Sequence, residues 1–173
     1  MLDPQTLRRR VHLFRALTIL AIVLVALSIP LAILKGGLPP DIAQYVTLGE
    51  VSLTHRVAIA LAGALPAAAA IWTLTRVLAF LDLYGRGLSL TIQSAATMRA
   101  IGCGLFAIVA AQIIARPLQS LVASAFNPAG ERSLVISLQG GDLGLVLAAG
   151  LVILIAQAIA EAASNRDELD AIV

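Results

Sequence analysis

A bundle of four membrane-spanning helices is the fold this sequence predicts. Four apolar stretches, 14–34, 57–81, 100–116 and 143–160, each approach the length a helix needs to cross about 30 Å of hydrocarbon. Hydrophobic residues make up 60% of the chain and charged residues 13%, where a soluble domain carries about 25% charged residues. The mean hydropathy of +0.95 agrees. Polar connections between the stretches are short, so 1–173 reads as a single integral membrane domain. Aromatics are only 4%, which leaves helix packing to Ala, Gly, Leu, Ile and Val.

The first span is expected to begin ahead of the membrane. Asp3 followed by Pro4 makes an N-cap and a first helical position. Arg8, Arg9, Arg10 and Arg15 can then reach anionic headgroups. A basic n-region before an apolar run resembles a secretory signal, but the run continues to Leu34 with no small-residue cleavage site after it. The reading is a retained helix, stopped by Lys35-Gly36-Gly37 and by Pro39-Pro40.

The second span carries Ala60, Ala64 and Ala68 at four-residue spacing, the small residues by which membrane helices approach closely. Pro66 is expected to bend it or loosen its backbone locally. Trp72 and Arg76 fall toward the interface, where Arg76 can snorkel. The connection that follows, from Tyr84 through Arg86 to Thr91, is the most structured in the chain. A short helix from Ile92 to Arg99, capped by Ser89 or Thr91, should run on into span three.

Arg116-Pro117 after span three leaves two readings open. In the favoured one, Arg116 marks the outer boundary and 117–126 forms a short interfacial helix, since Leu118, Leu121, Val122, Ala125 and Phe126 share a face. In the other, a single kinked helix turns Arg116 into the bundle, where an arginine is a functional candidate by default. Span four carries Gly140, Gly144 and Ala148, a ridge expected to pack against a helix of the same subunit, with homo-oligomerisation through it as the alternative. Two outer segments, 46–54 and 133–138, read as extended chain and are expected to form a small external β cap.

Loop charge sets the expected orientation. One side holds Arg8, Arg9, Arg10, Arg15, Arg76, Arg86, Arg99 and Arg166; the other holds Lys35, Arg56, Arg116 and Arg132. By the positive-inside rule both termini face the cytoplasm.

No arrangement of residues carries recognisable catalytic chemistry. His12 and His55 are expected on opposite sides of the membrane, and Cys103 is the single cysteine, read as a small residue at a helix contact. No zinc-protease, nucleophile-elbow or phosphate-loop motif occurs, so no cofactor is expected. The span interiors lack carboxylates, which disfavours a proton-coupled pump. A net charge of +2 from dispersed residues gives no reason to expect nucleic acid. The candidate interaction surface is therefore Tyr84, Arg86 and Arg99 with the acidic tail residues Asp167, Glu168 and Asp170. The candidate intramembrane site is Pro66 with Arg116.

Tyr84, Gly87, Met98, Arg99, Ile101 and Gly102, with the tail 158–173 and Gly49-Glu50-Val51-Ser52-Leu53, make the chain similar to a bacterial membrane-protein family. This is domain of unknown function 2975, the YoaS-like proteins. Leu90 and Ser94 stand where that family usually has Phe and Asn, which puts any role of the amide in doubt. The resemblance implies four transmembrane helices in a bacterial cytoplasmic membrane and a link to small helix-turn-helix regulators. It implies no catalytic residues. The function expected is a non-enzymatic regulatory, sensory or immunity-like component that meets the bilayer and a protein partner. The alternative is a small-molecule-binding or transport-related protein with its site in the bundle.

Overall fold

In the computed structural model the described residues are 4–35, 53–125, 134 and 136–170, and they form four helices. These are α1 (Pro4–Lys35), α2 (Leu53–Gly85), α3 (Ile92–Ser124) and α4 (Gly140–Asp170). Each is 31 to 33 residues long, or about 50 Å at 1.5 Å per residue. All four are long and apolar enough to cross a membrane. They extend past the apolar stretches at both ends, because a helix keeps its backbone bonds into the headgroup layer while hydropathy falls. The residues expected to cap and stop α1, Asp3 and 36–40, lie outside the described residues.

The helices run up and down in chain order. Arg15 of α1 meets Asp82 near the end of α2. A Cβ on Gly63 would meet Gln119, and one on Gly104 would meet Thr73, so α2 and α3 are antiparallel. Gly102 faces Ala149 and Ile153 of α4 in the same sense. Among the described residues each helix approaches only its sequential neighbours, which makes the bundle an open one with α1 and α4 at its edges. Its outward faces present Leu17, Leu24, Leu61, Leu147 and Leu151, all exposed. So large an apolar surface belongs in hydrocarbon, and a multi-pass membrane protein follows.

Small side chains hold the helices together. Ser94, Ser120 and Ser124 are the largest fully buried side chains. On α3, Ala95, Gly102, Val109, Arg116 and Ala123 are buried at seven-residue intervals; on α4, Asp142, Ala149, Ala156 and Ala163 are buried at the same interval. A seven-residue period is the seam of two helices wound on one another. The ridge expected to pack, Gly140 and Gly144 with Ala148, lies on the other side of α4: a Cβ on either glycine would meet nothing within 4 Å. Two residues along a helix turn about 200°, so turning Asp142 inward necessarily turns Gly140 and Gly144 out. The burial of the carboxylate selects the face, and the glycine ridge yields to it.

Three further expectations are corrected. α3 continues unbroken through Pro117 to Ser124, in place of a separate interfacial helix. The charge of Arg116 suggests a boundary in the sequence, but it is paired within the bundle and ends nothing. The β cap is not supported: among the described residues there is no strand, Leu53 and Thr54 open α2, and 134 and 136–138 are irregular. The rest of both segments lies outside the described residues. Leu134, Ile136 and Leu138 are exposed, so their alternation marks no buried strand face. Cys103 is exposed as well; its neighbours Gly102 and Gly104 make the helix contacts, and one residue on, the side chain points away.

Candidate functional site

Polar groups gather at the two ends of the array. At the end carrying the termini, α2 stops in a Schellman arrangement. Leu88 N–H donates to the Leu83 carbonyl at 3.0 Å and Gly87 N–H to the Tyr84 carbonyl at 3.1 Å. This closure needs a left-handed residue, and Gly87 supplies it at φ +77°. α3 then opens on a capping box. Ser94 N–H donates to Thr91 Oγ1 at 3.2 Å, and Thr91 N–H donates back to Ser94 Oγ at 3.1 Å. Ser94 is fully buried and its hydroxyl also reaches the Ser89 carbonyl at 2.7 Å. Both helix ends are thus satisfied locally, and six connecting residues are held in one conformation.

Tyr84, Arg86 and Arg99 are exposed on and beside that connection, with Arg86 and Arg99 bordering different grooves. Tyr84 is exposed, its ring tilted against Phe80 with centroids 6.5 Å apart. Arg86 is exposed and borders a groove between α1 and α2, of about 480 Å³, that also contains His12, Arg15 and Asp82. Arg99 is exposed beside a smaller, mostly apolar groove of about 230 Å³ between α3 and α4. Asp167, Glu168 and Asp170 fall in the last turns of α4; their side chains lie outside the described residues. Arg76 lies with its guanidinium carbon 5.1 Å from the Trp72 ring centroid, the cation–π contact of an interfacial arginine.

At the opposite end Arg116 and Asp142 form a buried, bidentate pair. Arg116 Nη1 donates to Asp142 Oδ2 at 2.6 Å and Nη2 to Oδ1 at 3.1 Å. Nη1 also reaches the Ser137 carbonyl at 2.8 Å, and Nη2 reaches Gln112 Oε1 at 3.1 Å. Asp142 accepts in turn from Gln139 N–H at 2.9 Å. The guanidinium is thereby satisfied from α3, α4 and the segment before α4. Arg56 Nε and Ser137 Oγ at this end are buried with no hydrogen-bond partner among the described residues.

Pro66 sits partly buried within α2, which continues through it. Gly63 of α2 faces Gln119 of α3, which sets Pro66 near the level of Arg116 across the antiparallel pair, while the guanidinium of Arg116 reaches Gln112, Ser137 and Asp142. Among the described residues no cluster of His, Cys, Asp and Glu could hold a metal. His12 and His55 fall at opposite ends of the array.

Sequence reasoning missed Asp142 as the partner of Arg116. A signal was present: uncharged stretches of similar length separate Arg99 from Arg116 and Asp142 from Glu161, which sets the arginine and the aspartate level across antiparallel helices. No family model, curated protein or solved structure matches this chain.

Proposed function

We propose that this chain is a non-enzymatic membrane component that acts by binding, in a regulatory, sensory or immunity-like role, through the end that carries its termini. The observation that carries the reading is the contrast between the two ends. Arg116 is fully engaged inside the fold, whereas Arg86 and Arg99 are exposed on and beside a connection capped at both ends. A rigid loop presenting cations limits the entropy lost when an acidic partner docks. The bias of loop arginines supports a cytoplasmic position for this end. The resemblance to the YoaS-like family fits the same assignment. The transport reading needs Arg116 free to meet an anion, and its bonds to Asp142, Gln112 and Ser137 argue against that.

Photo-crosslinking in intact cells tests the reading. A photoreactive residue at Leu90, exposed on the connection between Arg86 and Arg99, is expected to yield a discrete protein adduct, absent from the same probe at lipid-facing Leu24. The adduct should disappear in the Arg86→Glu, Arg99→Glu variant. Adducts unaltered by charge reversal, or no protein adduct at all, would reject this surface.

A further inference from the structure

We propose that the groove between α1 and α2 at the end carrying the termini binds the phosphate of an anionic phospholipid. The groove, about 480 Å³, holds Arg15 and His12 of α1 and Arg86 just past the end of α2, with Asp82 as its one acid. Two guanidinium groups against one carboxylate leave it cationic even with a neutral imidazole. Asp82 Oδ1 accepts from Arg15 Nη1 at 2.7 Å. That contact fixes the guanidinium while leaving other donors of its five-donor fork available. Arginine forks match phosphate oxygens in geometry as well as charge.

The level of the groove selects the ligand. Arg15 is the last charge before the uncharged stretch 16–34, so it marks where hydrocarbon gives way to headgroups. Asp82 and Gly85 of α2 lie level with Arg15 and Val11 of α1, so the groove starts at that boundary and extends outward from it. The groove therefore occupies the headgroup layer. Two and three turns deeper on the His12 side of α1, Ile19 and Val23 are exposed, an apolar surface on which acyl chains can lie. An anionic head joined to hydrocarbon satisfies both parts, and a soluble phosphate satisfies only one.

The inference is independent of the interaction reading, because it is tested on purified protein with no partner present. Native mass spectrometry would follow retention of phosphatidylglycerol and phosphatidylcholine by the full chain in mild detergent. The unsubstituted chain should hold one phosphatidylglycerol under conditions that strip phosphatidylcholine. The Arg15→Gln, Arg86→Gln variant should lose that retention by roughly tenfold or more, and Arg9→Gln, Arg10→Gln, with the same charge removed outside the groove, by less than about threefold. Asp82→Asn, which removes the competing carboxylate, should retain the lipid at least as well. Unchanged helical content by circular dichroism would keep a folding defect from passing as lost binding. Equal losses in the two double variants, or equal retention of both lipids, would overturn the proposal. So would displacement of phosphatidylglycerol by millimolar inorganic phosphate.

Discussion

Two Arg–Asp pairs sit at opposite ends of this molecule with nearly the same separation, 2.7 Å for Arg15–Asp82 and 2.6 Å for Arg116–Asp142. Their surroundings differ. The side chains of the first pair are 43% and 41% exposed, and those of the second 9% and 3%. Distance alone would rank them equal, but solvent decides what each can do. An exposed pair is screened and exchangeable, worth little to stability and open to a competing anion. A buried pair with its remaining donors engaged holds the fold and is strongly destabilised when one partner is removed. One end of the molecule is therefore committed to structure, and the other is open to binding.

The largest expected effect comes from unbalancing the buried pair. Asp142→Ala leaves the Arg116 charge buried and should cost about 3–5 kcal/mol, read as a loss of thermal stability in detergent or of folded protein in the membrane. Replacing both members with leucine should recover much of that loss, since paired apolar substitutions remove the desolvation cost along with the attraction.

Next comes the seam that brings the pair together. A Cβ on Gly102 would lie 2.5 Å from Ile153 Cγ1 and 3.1 Å from the Ala149 carbonyl, so Gly102→Val should cost about 1–3 kcal/mol through overpacking. Gly144→Val, on the open face of α4, should leave the same thermal midpoint nearly unchanged. Thr91→Ala removes one half of the capping box at the opposite end and should cost about 1 kcal/mol. Faster hydrogen exchange confined to the first turn of α3 would report it. The smallest effect is expected from Asp82→Asn, at most about 1 kcal/mol of thermal stability.

Membrane class, helix number and the ordered connection were legible in the sequence because each rests on local chemistry. Apolar length gives the spans; Gly87, Thr91 and the polar residues around them give the ends of α2 and α3. The sidedness of α4 was not legible, because Gly140, Gly144 and Ala148 are as small as Ala149 and Ala156. Only the need to bury Asp142 against Arg116, 26 residues away in the chain, decides between the two faces. The continuation of α3 past Pro117 has the same cause. A charge that looks like a span boundary in one helix ceases to be one when a neighbouring helix neutralises it. Arg86 and Arg99 are both exposed, but that they border different grooves follows from helix packing and not from their spacing.

A double-mutant cycle on each pair, with thermal or denaturant unfolding of the full chain in one detergent, tests the central contrast most directly. The Arg116–Asp142 cycle is expected to give a coupling energy of about 2–3 kcal/mol, and the Arg15–Asp82 cycle about 0.5 kcal/mol or less. Equal couplings, or a larger one for Arg15–Asp82, would contradict the division between a committed end and an open one.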